Sequence, residues 1–301
     1  MTAQEAPFTA PVPGGEIVGT FWRSGAPGIP LLGLHGITAN HRSFRGLADS
    51  VANPFIAIDQ RGRGGSRDLP GPYALDRLAD DARDVLDAAG VDKALVVGHS
   101  MGAFVATRLA RSFPDRVHGL VLVDGGLPLR PPPPDVQITA EQALGPAVAR
   151  LQMQFDSAEA YREFWRDHPA VGPYWSELVE EYIDYDLRSI DGALRPATRP
   201  EAMETNFLEL GSTEQGEVIE ELDRRGLPTT LLTSPRGLFD EVPPLYDAAW
   251  VQEWSARVPG FLVEEVADTN HYTILLGQGI PAVVAAIDAL TARLDDEETT
   301  G

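Results

Sequence analysis

One pentapeptide constrains this chain more than any other feature: Gly98-His99-Ser100-Met101-Gly102, a G-x-S-x-G. The run before it, Lys93-Ala94-Leu95-Val96-Val97, is short, apolar and β-branched and reads as a buried strand. The run after it, Ala103–Ala110, reads as a helix. A serine at a sharp strand-to-helix turn is held in a strained backbone conformation that lifts its Oγ clear of the sheet. The flanking glycines fit that geometry, since a β-carbon there would meet the neighbouring strand and helix. Ser100 is therefore a candidate nucleophile.

The same alternation extends on both sides. Glu16–Trp22, Ile29–Gly33, Phe55–Asp59 and Val117–Val123 read as strands, and Leu75–Ala89 as a helix that Gly90 ends. Apolar strands separated by helices imply a mostly parallel, doubly wound α/β sheet covered on both faces. The alternation breaks at Leu127, where Pro131–Pro134 reads as a stiff linker. From about Glu141 to Arg225 the patterns are helical, over Ala158–Asp167, Tyr174–Ile190 and Glu217–Arg225, with no convincing strand. The alternation resumes with a strand at Pro228–Thr233, a helix at Leu245–Arg257, a strand at Phe261–Val266 and a helix at Ile280–Leu294, followed by a polar tail, Asp295–Gly301. The expected organisation is a core from residues 1–126 and 227–301, with 127–226 inserted as a helical cap.

Bulk properties narrow the function classes. With 45 acidic against 24 basic residues the net charge is -21, which repels phosphate backbones and anionic lipid heads and argues against nucleic acid or membrane as the main partner. There are no cysteines, so disulfides, thiolate nucleophiles and cysteine metal sites are excluded. The first residues, Met1–Pro7, show neither the basic nor the apolar region of a signal peptide, and no 18-residue apolar stretch occurs; the expectation is a cytoplasmic protein. No H-E-x-x-H, P-loop or dinucleotide fingerprint is present, so no metal or organic cofactor is expected. Oligomeric state is not readable.

A serine needs a base to take its proton, and histidine is the usual one. Of the six histidines, His99 adjoins Ser100 but points away from it at such a turn and reads as a packing residue. His41 and His168 fall in loop or helix-end positions, His118 opens a strand and His35 precedes Gly36. His271 lies in the loop after the last strand, at the end of the sheet where Ser100 sits, and is the candidate base.

Four motifs in order resemble the α/β-hydrolase superfamily, in its subgroup with an HG loop and a helical cap. They are Leu34-His35-Gly36-Ile37, the D-x-R-G-x-G-x-S stretch Asp59–Ser66, the Gly98–Gly102 pentapeptide, and Asn270-His271. The resemblance runs from about residue 15 to 294 and speaks to fold, not to substrate. It implies an oxyanion hole from the backbone N–H groups of Ile37 and Met101. Helix physics agrees for Met101, whose N–H is free at a helix start where the dipole favours negative charge. The resemblance also implies that Asp59 and Arg61 brace the site structurally.

Two aspartates compete to orient His271. Asp124 ends the strand after the pentapeptide helix, and the glycines behind it leave room for a histidine. Asp240 follows the next core strand at G-x-x-D spacing from Gly237, the commoner arrangement in the superfamily, whereas lactonases and haloalkane dehalogenases carry the acid at the earlier position. Asp124 is the first candidate and Asp240 the alternative. The implied chemistry is cleavage of a small, largely apolar ester or lactone through an acyl-enzyme at Ser100. Carbon–carbon bond hydrolysis or acyl transfer by the same triad, and a non-catalytic small-molecule receptor, are the competing readings. Epoxide hydrolase and dehalogenase chemistry would need an aspartate where Ser100 stands. The insertion's aromatic residues, Phe155, Tyr161, Phe164, Trp165, Tyr174, Trp175, Tyr182 and Tyr185, are expected mostly to pack its own core, with one or two at the substrate.

Overall fold

The computed structural model describes residues 4–132, 135, 136 and 138–300. Ten strands occur among them: β1 Glu5–Val12, β2 Gly15–Trp22, β3 Leu31–Leu34, β4 Phe55–Ile58, β5 Ala94–His99, β6 Val117–Val123, β7 Leu187–Ile190, β8 Ala193–Pro196, β9 Thr229–Thr233 and β10 Phe261–Glu265. Eight form one sheet in the order β1-β2-β4-β3-β5-β6-β9-β10. From β4 to β10 every pairing is parallel, while β1 and β2 join antiparallel at one edge. This is the mostly parallel, doubly wound sheet of the α/β-hydrolase fold.

Alternation along the central strands decides which face each side chain serves. Leu32, Leu34, Val96, Leu120 and Leu122 enter a cluster with the helices Leu75–Ala88 and Met101–Ser112. Leu31, Leu95, Val97, Val121 and Val123 enter a second cluster with Phe44, Leu47 and, from the C-terminal helix, Val283 and Ile287. The strand β5 is buried along its whole length because helices cover both faces. Gly90, at φ +66°, ends Leu75–Ala88 in the left-handed conformation, and the Val91 N–H closes back onto the Leu86 carbonyl at 2.9 Å.

Several local expectations are corrected. The strand β1 was not expected; it carries Pro7 and Pro11 and lies at the sheet edge, where proline is tolerated. The helix expected over Tyr174–Ile190 spans Glu177–Asp186, and the chain then turns into the β7–β8 hairpin, a strand pair in a segment read as wholly helical. Its turn, Asp191-Gly192, has positive φ at both residues (51° and 80°), which selects a tight two-residue hairpin. The polar tail continues the last helix, Ile280–Thr300, because no glycine or proline interrupts residues 282–300. Within the proline run, Pro133 and Pro134 lie outside the described residues, as does Gly301.

The segment between β6 and β9 divides in its packing. Val218, Ile219 and Leu222 of the helix Glu214–Arg224 join the sheet-side cluster beside Leu109 and Leu120. Phe155, Tyr161, Trp165, Val179, Tyr182 and Ile183 form a separate cluster with Leu276. A buried arginine ties that second unit to the core. The Arg150 guanidinium meets Asp186 at 3.1 Å and donates to the Thr38 carbonyl at 2.8 Å.

Candidate active site

The parallel register sets the frame. His99 pairs with Val123 at the carboxyl ends of β5 and β6, so Ser100 and Asp124 leave the sheet side by side. Ser100 adopts φ 53°, ψ −123°, a conformation costly for a residue with a side chain and kept only where its surroundings enforce it. The surroundings here are backbone. A β-carbon on Gly98 would lie 2.5 Å from Ala103 Cα, one on Gly102 would lie 1.9 Å from the Leu34 carbonyl oxygen, and one on Gly125 would lie 2.2 Å from the Ser100 carbonyl oxygen. The glycine after Asp124 thus makes room for the Ser100 backbone, not for a histidine.

His271 lies beyond β10 and is buried. Its Nδ1–H donates to Asp124 Oδ2 at 2.6 Å, and the other Asp124 oxygen accepts from the Ser234 N–H at 3.2 Å. Asp124 is fully buried at φ 43°, its own N–H bonded to the Leu232 carbonyl at 2.7 Å. With Nδ1 as the donor, the His271 Nε2 is left as the acceptor, the tautomer a general base requires. Asp240 faces elsewhere: its Oδ1 lies 2.8 Å from Arg236 Nε and accepts from Asn270 Nδ2 at 2.9 Å.

The two expected oxyanion donors lie close to Ser100. The HG loop runs against it, so that a β-carbon on Gly36 would be 3.3 Å from Ser100 Cβ and 3.7 Å from its Oγ. Met101 opens the helix Met101–Ser112. Gly36, Ile37, Ser100, Met101 and His271 line one cavity of about 130 Å³. The rest of its wall is mainly aliphatic and aromatic, including Phe104, Leu144, Phe207, Leu238 and Leu276. No arginine or lysine is among the described residues that line it. Of the eight aromatic residues named in the insertion, Tyr182 alone reaches this wall; Tyr174 bonds Arg236 and Tyr185 bonds Asp59.

Neighbouring histidines hold the frame in neutral form. Burial pulls His35 down to about 4; its Nδ1 bonds the Gly36 carbonyl at 2.8 Å and its Nε2 accepts from the Gln60 N–H at 3.0 Å. Burial and the proximity of His271 pull His99 down to about 3, and its Nε2–H donates to the His271 carbonyl at 2.8 Å. His99 therefore holds the backbone of His271, a role its position beside Ser100 did not reveal. Asp59 is a brace: it bonds His41 at 2.8 Å, the Tyr185 hydroxyl at 2.6 Å and the Gly65 N–H at 2.6 Å. Burial pushes its carboxyl up, but the proximity of His41 and His35 and the hydrogen bonds from His41 and Tyr185 outweigh that and keep it below the ordinary carboxylate range. Arg61 pairs with Asp81 through two bonds of 2.7 and 2.8 Å.

The model of the alpha/beta hydrolase fold family matches residues 29–179, and the chain belongs to that family. Curated relatives match over parts of the chain. A serine hydrolase-like protein of Danio rerio is 36% identical over 121 residues, 39% of this chain and 37% of that protein. A putative carbamate hydrolase RutD of Caulobacter vibrioides is 47% identical over 73 residues, 24% of this chain and 27% of the relative. A 2-(acetamidomethylene)succinate hydrolase of Mesorhizobium japonicum is 28% identical over 175 residues, 58% and 60% of the two chains. The chain thus spans between 27% and 60% of the length of these relatives. The crystal structure of an E-2-(acetamidomethylene)succinate hydrolase superposes with a TM-score of 0.75 over 95% of this chain and 100% of that one, at 23% identity, a likeness of fold. No helix among the described residues is long and apolar enough to cross a membrane.

Proposed function

We propose that this protein is a serine hydrolase that cleaves the carboxylic ester or lactone of a small, largely apolar substrate. The observation that carries the reading is the Asp124–His271 hydrogen bond of 2.6 Å at the edge of a cavity that Ser100 also lines. Ser100 Oγ attacks the carbonyl carbon while His271 Nε2 takes its proton. The tetrahedral oxyanion is held by the N–H groups of Ile37 and Met101. The carbon–oxygen bond to the leaving group breaks, and the imidazolium returns the proton to the departing alkoxide. A water, deprotonated by His271, then releases the acid from Ser100. Asp124 keeps the tautomer and stabilises the imidazolium. Asp240 has no part in the triad.

The insertion 127–226 supplies the lid in this reading. Leu129, Ala143, Leu144, Ala147, Tyr182, Phe207 and Leu210 come from it to the cavity wall, while the helix Glu214–Arg224 belongs to the core. A cavity of about 130 Å³ is close to the roughly 150 Å³ that accommodates a benzene molecule, so the buried part of the substrate is of about that size. The apolar wall, with no arginine or lysine among the described residues, supports a neutral group there.

The relatives favour a second reading, because their names include a putative carbamate hydrolase and a 2-(acetamidomethylene)succinate hydrolase. Amide or carbamate cleavage would use the same groups, with His271 protonating a departing nitrogen. Initial rates on p-nitrophenyl acetate to octanoate, short lactones, and matched amides and carbamates, each against Ser100→Ala, separate the readings. The ester reading predicts highest kcat/KM for neutral short-chain esters or lactones and none in S100A. Turnover confined to amides or carbamates supports the second reading. No turnover of any of them refutes both and favours a receptor.

A further inference from the structure

Two arginines two residues apart are both buried, yet they are treated differently. Arg61 is neutralised by Asp81. Arg63 is fully buried and has no carboxylate within ion-pair distance among the described residues. An uncompensated buried charge is costly, and a structural strut alone would be served by a neutral side chain. What the guanidinium touches explains its retention. Its Nε donates to the Ile37 carbonyl at 3.1 Å, Nη1 to the Arg61 carbonyl at 2.9 Å, and Nη2 to the Ala202 carbonyl at 3.2 Å and Asn206 Oδ1 at 2.7 Å. Nη2 also lies 3.7 Å from Met101 Sδ.

Arg63 therefore reaches both residues assigned as oxyanion donors, Ile37 and Met101. It also reaches the helix Pro200–Leu210, whose Phe207 and Leu210 line the cavity. We infer that Arg63 is the positioning residue of the oxyanion site: it fixes the HG loop from the Ile37 carbonyl, anchors the lid helix to that loop, and leaves an unneutralised positive charge behind the loop. The inference rests on the serine hydrolase reading. Burial pulls the Arg63 guanidinium down to about 9, which still leaves it protonated near neutral pH.

The test compares Arg63→Met and Arg63→Lys with the wild type on a short p-nitrophenyl ester. It also compares binding of a trifluoromethyl ketone, which forms the oxyanion on Ser100, with binding of the matching non-electrophilic alcohol. In R63M the expected result is a kcat loss on the order of 10²-fold with KM within about threefold, and a comparable weakening of the ketone while the alcohol binds as before. R63K, keeping charge but losing the fork, is expected between R63M and wild type. If R63M does not fold by circular dichroism, Asn206→Ala, which removes one anchor, is expected to show the same split at roughly three- to tenfold. A folded variant with kcat within about threefold of wild type, or with equal weakening of both ligands, overturns the inference. A wild type that turns over no ester and forms no ketone adduct overturns the hydrolase reading and the inference together.

Discussion

Replacing Asp124 with asparagine isolates the proposed triad acid with almost no change of volume. In the native site one Asp124 oxygen accepts the His271 Nδ1–H at 2.6 Å and the other accepts the Ser234 N–H at 3.2 Å. An asparagine carbonyl can keep only one of these acceptor roles. If the carbonyl stays on Ser234, the amide donates towards Nδ1 and forces the imidazole proton onto Nε2, where it cannot take the Ser100 proton. The imidazolium formed during attack also loses its counter-charge, in a site where Asp124 is fully buried. Such a tautomer reversal costs on the order of 10⁴ in kcat, about 5.4 kcal/mol of transition-state stabilisation. Asp240→Asn removes charge from a carboxylate bonded to Arg236 and Asn270 and 27% exposed, so a loss within about threefold is expected. The assay is steady-state hydrolysis of a p-nitrophenyl ester, with circular dichroism establishing that both variants fold. The reasoning is refuted if D240N is crippled while D124N keeps most of its turnover.

Two further predictions concern stability. His35 and His99 are buried and neutral in the fold, pulled down to about 4 and about 3, whereas the unfolded chain binds their protons below about 6.5. Unfolding therefore takes up protons in this window. The stabilisation is complete above about 6.5 and is lost as pH falls towards 4 and 3, so the urea midpoint should drop between pH 7.5 and 4.5, and a flat profile contradicts this. Arg150→Met leaves Asp186 buried without its cation and should cost about 3–5 kcal/mol by urea unfolding. Adding Asp186→Asn should recover part of that loss, and additive losses would show that the two residues do not interact.

What was legible followed from strong local signals. Runs such as Ala94–Val97 and Val117–Val123 are apolar throughout because both faces of the sheet are covered, and the pentapeptide glycines have only backbone to meet. That Asp124 and His271 would meet was legible because each follows a strand that ends at the same edge of the sheet. What was missed depends on distant partners. β1 is a strand only by pairing with β2, despite two prolines. The β7–β8 hairpin was signalled by Asp191-Gly192, but the helical spacing running through Tyr182 to Leu187 masked it. The choice between Asp124 and Asp240 turned on which carboxylate the fold brings to His271, and the bond between Asp240 and Asn270 arises only when the two loops meet. Arg63 was indistinguishable from Arg61 until the fold gave one a carboxylate and the other the Ile37 carbonyl.

The central claim is that Ser100 is a nucleophile activated by His271. Incubation with a fluorophosphonate, followed by intact mass and peptide mapping, tests it directly. The account predicts one adduct on the wild type, carried by the peptide that contains Ser100, abolished in Ser100→Ala and slowed at least about 10³-fold in His271→Ala. An unlabelled wild type, or an adduct that persists in S100A, would contradict it.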